Sequence, residues 1–394
     1  GFDDLLAARG GQGVILSMHD FEGVPHDLEA RASAMRSTGA EVIKLAAMAT
    51  RLSDCLPFLT IGRESKTPIV LVAMGESGTP TRVLATRFGS CWTYAGDAVV
   101  PGQLTACALQ DEFCFRSLTN RTALYGVVGR PVAHSLSPAM HNAAFKAARL
   151  DAVYLPLAAA DFADFQWFAE VMGIEGASVT APFKVDAFES AAESDPVSRR
   201  IRSVNTLRHV NQRWAACNTD VAGFLKPLQA RMPVEGRRTT ILGAGGAARA
   251  VAEALHAAGA RVSIAARARE RAEETARLSG AAVADWPPRR GSWDVLVNAT
   301  PVGTAPDLAA TPLPDGPFTG DLVYDLVYNT PTTQLLRDAR AAGCQTLGGL
   351  SMLVAQAELQ FEWWTGQRPT DRVMRDAAMA ALGRQTPTGT PGTL

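Results

Sequence analysis

Thr239-Thr-Ile-Leu-Gly-Ala-Gly-Gly-Ala-Ala-Arg249 is the stretch on which the fold turns. Four residues of β character run into a glycine-rich turn, and Ala248 to Ala257 is strongly helical in composition. A strand, a glycine turn and a helix start bring backbone N–H groups and the positive end of a helix dipole to one point, which suits a pyrophosphate. Gly243, Gly245, Gly246 and Ala247 form the candidate cofactor turn; a merely tight strand-to-helix connection is the alternative. About 20 residues further on, an NAD site carries an acid for the ribose hydroxyl. Here the second strand, Arg261 to Ala265, runs into Ala266, Arg267 and Ala268, with Arg271 one turn later. Two guanidiniums suit a 2'-phosphate, so NADP is expected over NAD. A solvated, arginine-rich helix start is the other reading.

Around this turn lie 394 residues, which at roughly 150 per domain make two to three domains. Lys+Arg 38 against Asp+Glu 39 leaves a net charge of -1, so nothing draws the whole chain to a phosphate backbone or an anionic membrane. With 47% apolar and 20% charged residues the chain can fill folded cores. No window reaches ~18 uninterrupted apolar residues, the length of a membrane-crossing helix. Cysteines at 55, 91, 107, 114, 217 and 344 form no CxxC pair and read as reduced thiols in a cytoplasm. The chain opens at Gly1 without Met or a signal-like segment, and a missing N-terminus is expected.

The first 115 residues are periodic. Short apolar runs begin at Val14, Val42, Ile69 and Cys91, with helix-compatible stretches such as Asp27 to Ser37 and Thr81 to Phe88 between them. Strands recurring every ~30 residues around helices are consecutive βα units, which pair in parallel. Four units make about half of a closed (β/α)8 barrel of ~250 residues, followed by a helix at Gln103 to Phe115. A small open sheet, complete in itself, is the alternative. From Thr122 onward new glycine and proline punctuation marks a boundary, and strand and helix signals alternate to Arg340. Leu350 to Trp364 is helical, and the tail from Arg384 is expected to be disordered.

Lysine occurs only five times, so each one in an apolar setting is informative. Lys184 follows an apolar strand end in Val179-Thr-Ala-Pro-Phe, and Asp220 closes Cys217-Asn-Thr-Asp. Facing one pocket, the two could exchange a proton with a hydroxyl or carbonyl, as hydride transfer requires; an ordinary surface ion pair fits the spacing equally. Lys44 sits among apolar neighbours in Glu41-Val-Ile-Lys-Leu-Ala, where burial would lower its pKa and free an amine nucleophile. His19, one unit earlier, falls at a strand's C-terminal end, where barrel enzymes place their sites. The two suggest Schiff-base chemistry; an inward lysine paired with a buried acid and a satisfied histidine remain open. His134 and His141 lack a third ligand for a metal.

Residues 122 to about 383 resemble shikimate dehydrogenase. The matches run in order: Gly129-Arg-Pro-Val-Ala-His-Ser-Leu-Ser-Pro-Ala-Met-His-Asn, Val179-Thr-Ala-Pro-Phe-Lys, Ser203-Val-Asn-Thr-Leu, Cys217-Asn-Thr-Asp-Val-Ala-Gly, the glycine turn, Asn298-Ala-Thr-Pro-Val-Gly and Gly349-Leu-Ser-Met-Leu-Val-Ala-Gln. The resemblance implies that Ser135 and Ser137 hold a substrate carboxylate and that Thr180, Asn205, Asp220 and Gln356 contact ring hydroxyls. Lys184 becomes the catalytic acid/base, Tyr328 lies between nicotinamide and carboxylate, and Asn298, Thr300 and Gly349 join the cofactor site. Ser178 stands where single-domain members carry Asn, and Pro331 is one place off the family's Tyr-Asn-Pro.

Residues 10 to about 115 resemble the C-terminal half of type I 3-dehydroquinate dehydratase. The carried positions are His19 as general acid/base, Lys44 as Schiff-base lysine, Arg82 in Met74-Gly-Glu-Ser-Gly-Thr-Pro-Thr-Arg as carboxylate clamp and Gln103 in Pro101-Gly-Gln as hydroxyl ligand; Val99 departs from the family's Ser or Ala. The two families joined in this order match the bifunctional enzymes of the shikimate pathway. The expected architecture is α/β: a partial barrel over 1–118, a substrate domain over 122–222, a Rossmann NADP domain over 223–346, returning helices over 347–383 and a tail over 384–394. The expected chemistry is metal-free: dehydration of 3-dehydroquinate, incomplete in this chain, and NADPH-dependent reduction of 3-dehydroshikimate. A quinate dehydrogenase and a non-enzymatic metabolite sensor are the rivals; a structural role has no support.

Overall fold

The computed structural model describes residues 2–9, 12–96, 102–314, 316, 318–330 and 332–385. Val99, Pro331 and the tail beyond 385 lie outside the described residues. Contacts divide the chain into two compact units: one runs through Pro138 and includes Arg149–Phe183, and the other holds Ala139–Ala148 and everything from Lys184 onward.

The first unit opens with strands β1 (Ile15–Asp20), β2 (Val42–Met48) and β3 (Ile69–Met74), paired in parallel in that order. Helices Leu28–Ser37 and Leu56–Glu64 make the crossovers. All six residues of β3 are buried, as the unbroken Ile-Val-Leu-Val-Ala-Met run of a parallel strand covered on both faces requires. The expected fourth strand does not form over Cys91–Tyr94. Cys91 donates its N–H to the Ile69 carbonyl at 2.8 Å, but the Leu71 N–H is taken by Ser90 Oγ at 2.9 Å. A side chain thus occupies the acceptor place that the next rung of a ladder would use. The expected helix at 103–115 is likewise reduced, with a single wide turn at Ala108–Glu112.

The same unit continues with β4 (Ala123–Gly129), flanked in parallel by β5 (Ala152–Ala158) and β6 (Ile174–Val179). Helix Phe162–Met172 crosses between them. Asp161 accepts the Asp164 N–H to cap its start, and Gly173 ends it at φ 72°, a conformation glycine adopts without penalty. Asp164 joins the two strand layers. Its carboxylate accepts the N–H groups of Leu52 at 2.8 Å, Ser53 at 2.9 Å and Ala160 at 3.0 Å. Burial would raise this carboxyl's pKa, but these N–H donors stabilise the anion more and hold it below the usual range.

In the second unit β7 (Glu193–Ser194) pairs in parallel with β9 (Arg213–Cys217), which is antiparallel to β8 (Thr206–Val210). A six-stranded parallel sheet follows, made of β10 (Arg238–Leu242), β11 (Arg261–Ala265), β12 (Ala282–Val283), β13 (Val295–Asn298), β14 (Leu322–Asp325) and β15 (Gln345–Gly348). Its order is β12-β11-β10-β13-β14-β15, so the chain reverses direction beside β10, where doubly wound sheets open a ligand crevice. The alanine-rich helix Gly246–Ala257 packs Ala248, Val251 and Leu255 against Ile241, Val295 and Val297. Each fully buried Val, Leu or Ile there contributes roughly 1.5–3 kcal/mol. Helices Asp220–Gln229 and Leu350–Thr365 meet where Gly223 faces Gln356: a Cβ on Gly223 would lie 2.7 Å from the Gln356 Cβ. The last helix, Val373–Gln385, carries Arg384, so order extends past the expected start of the tail.

Candidate active site

Lys184 is the first residue of helix Lys184–Ser190, and Asp220 is the first of Asp220–Gln229. Their side chains meet at 2.5 Å, Nζ to Oδ2, with only 16% and 8% of the two side chains exposed. An ordinary surface ion pair is therefore not what the structure holds. The second oxygen of Asp220 accepts Asn205 Nδ2 at 2.8 Å, and its backbone N–H donates to Asn218 Oδ1 at 3.0 Å. Asn205 Nδ2 also donates to Gln356 Oε1 at 3.2 Å, while its Oδ1 accepts the Thr219 N–H at 2.8 Å. Lys184, Asp220, Asn205 and Gln356 are thus brought into one polar cluster although 172 positions separate the first from the last. One of the three ammonium donors of Lys184 is committed to Asp220, which orients the others.

The glycine turn borders this cluster. A Cβ on Gly246 would lie 3.1 Å from both Lys184 Cδ and Ser203 Oγ. Gly243 takes φ 109°, and a Cβ there would come within 3.1 Å of the Thr300 methyl. Around Gly245 the space is open, and no side chain caps the helix that starts at Gly246. Its first-turn N–H groups therefore point out of the turn without a side-chain acceptor. Asn298 ends β13 and accepts both the N–H of Thr300, at 3.0 Å, and its hydroxyl, at 2.7 Å. Asp325 holds Asn298 in turn, accepting Nδ2 at 2.9 Å, and burial raises its own pKa. Gly349 admits no side chain, since a Cβ would lie 2.2 Å from the Leu326 carbonyl. Arg267 and Arg271 are exposed, and no ion pair among the described residues engages either. Ala247 and Tyr328 are half-buried.

Ser135, Ser137 and Thr180 belong to the first unit. Ser137 is buried and donates its N–H to Ser135 Oγ at 3.2 Å. Thr180 follows β6 and reaches so close to β4 that a Cβ on Gly129 would strike its methyl at 2.2 Å. Ser178 accepts the Tyr154 hydroxyl at 2.5 Å.

Among the residues of the N-terminal layer, Ser17 stands opposite Lys44 in the ladder, so Ser17, His19 and Lys44 share one face. Lys44 is half-buried rather than buried, and its ammonium lies 4.3 Å from the centre of the Tyr94 ring. His19 is exposed; partial burial, then the charge of Lys44, lowers its pKa. Arg82 is buried at 5% exposure, its Nε has no hydrogen-bond partner among the described residues, and desolvation lowers its pKa. Gln103 approaches Gly96 so closely that a Cβ there would meet Nε2 at 2.3 Å.

Sequence reading missed Asn218, Ser203, Gln360 and Tyr94. Gln360 donates to the Asn205 carbonyl at 3.1 Å and to the Thr206 hydroxyl at 3.0 Å. The buried Ser203 hydroxyl has no partner among the described residues. Gln360 and Tyr94 gain meaning through contacts between distant segments, for which one sequence carries no signal, whereas Asn218 serves Asp220 two positions on.

The parallel sheet with a glycine-rich turn that no side chain caps beside its reversal point, and a buried lysine-aspartate pair next to that turn, mark a dinucleotide-binding α/β protein. Residues 4–118 match type I 3-dehydroquinase, residues 127–207 the shikimate dehydrogenase substrate binding domain, and residues 349–379 the shikimate 5'-dehydrogenase C-terminal domain. The chain belongs to the shikimate dehydrogenase family, with a type I 3-dehydroquinase segment ahead of it. It is 39% identical over 275 residues to the shikimate dehydrogenase (NADP(+)) of Carboxydothermus hydrogenoformans, which covers 66% of this chain and 98% of that protein. It is 32% identical over 382 residues to the chloroplastic bifunctional 3-dehydroquinate dehydratase/shikimate dehydrogenase of Arabidopsis thaliana. That match covers 90% of this chain, which spans 63% of the length of the plant protein. The shikimate dehydrogenase of Thermus thermophilus, solved with NADP(H) and shikimate, superposes with a TM-score of 0.60 at 38% identity, covering 66% of this chain and 99% of that one.

Proposed function

We propose that this chain reduces 3-dehydroshikimate to shikimate with NADPH, as part of aromatic biosynthesis, in a cytoplasm where its six cysteines stay free. The observation that carries the reading is the Lys184–Asp220 pair, held by Asn205 and set against Gly246 of the cofactor turn. A dinucleotide fits the turn: its N–H groups lack a side-chain acceptor, the space at Gly245 is open, and two exposed guanidiniums follow β11. Gly243, Gly245, Gly246 and Ala247 would hold the pyrophosphate, Arg267 and Arg271 the 2'-phosphate, and Asn298, Thr300 and Gly349 the rest of the cofactor. When bound, NADPH supplies a hydride.

Lys184 gives the proton that the reduced carbonyl oxygen must gain, and Asp220 holds the ammonium towards that oxygen. Asn205 and Gln356 keep Asp220 in place and read ring hydroxyls, a role the family resemblance also gives Thr180. Ser135 and Ser137 take the carboxylate. The domain limits at 118, 122–222, 223–346 and 347–383 belong to this proposal. Incubating the protein with shikimate and NADP+, and following reduced nicotinamide, tests the activity. Turnover with shikimate and NADP+ is expected. Turnover confined to quinate and NAD+ would favour the catabolic enzyme, and binding without turnover a sensor; either outcome removes the reading.

A second activity is favoured by the buried Nε of Arg82, which has no partner among the described residues and suits the carboxylate of 3-dehydroquinate. Lys44 would form an imine with the ketone, releasing water, while His19 moves the proton of the elimination and Gln103 holds a hydroxyl. Borohydride treatment in the presence of 3-dehydroquinate should fix mass on the Lys44 peptide. A peptide that never gains mass, in this chain or with residues added before it, ends the Schiff-base reading.

A further inference from the structure

Residues 75–78 follow β3 and carry a charge that neither proposed reaction uses. Glu76 Oε1 accepts the backbone N–H of Val132 at 2.9 Å. Val132 lies in the segment between β4 and Ser137. Its own carbonyl accepts the Ser135 N–H at 3.0 Å, and Ser135 Oγ accepts the Ser137 N–H at 3.2 Å. An unbroken chain of hydrogen bonds therefore runs from the Glu76 carboxylate to the two serines proposed to hold the substrate carboxylate.

The near end of this chain is held by further contacts. Ser77 donates its hydroxyl to the Ala158 carbonyl at the end of β5, at 2.8 Å, and its carbonyl accepts the Cys55 thiol at 3.4 Å. Gly102 packs so tightly on this turn that a Cβ there would lie 2.0 Å from the Gly75 carbonyl. Val132 and Ser137 are both buried, at 3% and 5% exposure. With neighbouring residues tied down on both sides, the Glu76 carboxylate is placed to set the position of the Val132 segment.

We propose that Glu76, in the dehydroquinase segment, is a positioning residue for the substrate-carboxylate loop of the dehydrogenase, acting through Val132 and Ser135. The N-terminal segment is then a working part of the dehydrogenase site and does more than share the chain. Because Glu76 acts through the Val132 segment, its loss should fall on shikimate binding and leave the chemical step and the cofactor alone. The inference rests on the proposed role of Ser135 and Ser137.

The test is steady-state shikimate oxidation by the parent, Glu76→Ala and Glu76→Gln. Losing one hydrogen bond that orders the loop should raise the KM for shikimate about three- to tenfold, with kcat and the KM for NADP+ within about twofold of the parent. Glu76→Gln keeps a carbonyl oxygen that can accept the Val132 N–H, so it should recover most of the parent KM and also covers the case in which the alanine variant folds poorly. An unchanged shikimate KM in Glu76→Ala, or equal rises for shikimate and NADP+, overturns the positioning role while the parent's activity stands. A parent with no shikimate oxidation removes the functional reading, and this inference with it.

Discussion

Lys184 Nζ donates to Asp220 Oδ2 over 2.5 Å, and each residue opens its own helix. Asp220 has both oxygens engaged, by Lys184 and by Asn205. Replacing Lys184 by Ala should lower kcat by about 10²-fold or more while NADP+ affinity holds. Asp220→Asn should cost a similar factor, and the double variant little beyond either single one, since the two act as a unit. Independent, multiplying losses would show that they do not share the proton.

On the proposed reading, cofactor choice rests on Arg267 and Arg271. Charged hydrogen bonds to a 2'-phosphate contribute roughly 1.5–3 kcal/mol each, so neutralising both arginines should reduce the preference for NADPH over NADH by at least about tenfold. NADH turnover should be spared. The ratio of kcat/KM for the two cofactors, before and after substitution, decides the matter; equal values in the parent would contradict the assignment.

His141 is fully buried against Phe145 and Trp364, and desolvation drives its pKa down to about 3 despite a bond with Gln360. The unfolded imidazole takes up a proton below about pH 6.5 while the folded one stays neutral. Stability from this group is therefore complete above that pH and is lost as pH falls towards the folded value, by about 1.4 kcal/mol per unit. Denaturant titrations of the parent and of His141→Gln from about pH 6 to pH 4 should show the steeper loss in the parent. Parallel slopes would mean that the buried ring is not kept neutral.

Asp164 ties the two layers of the first unit through the N–H groups of Leu52 and Ser53. Asp164→Ala leaves these buried donors without acceptors, at about 1–3 kcal/mol for each group left unsatisfied. A fall in urea midpoint with unchanged m-value is the expected reading. No shift in midpoint would show that water replaces the carboxylate at no cost.

The strand, glycine turn and helix from β10 through the helix at Gly246 were legible in the sequence alone, because strand, turn and helix start are local patterns, although Gly243 and Gly246 also answer to distant neighbours, Thr300 and Lys184. The sequence also singled out Lys184, Asp220, Lys44 and His19 by residue type, and left open whether Lys184 and Asp220 would meet. Tertiary structure decided that, since their contact depends on two helix starts 36 positions apart being folded together. It also decided that Cys91–Tyr94 would form no strand, as the Ser90 hydroxyl takes a backbone donor that sequence patterning assigns to a ladder. The link from Glu76 to Val132 was invisible for the same reason: a backbone N–H looks alike at every position until folding sets one carboxylate beside it.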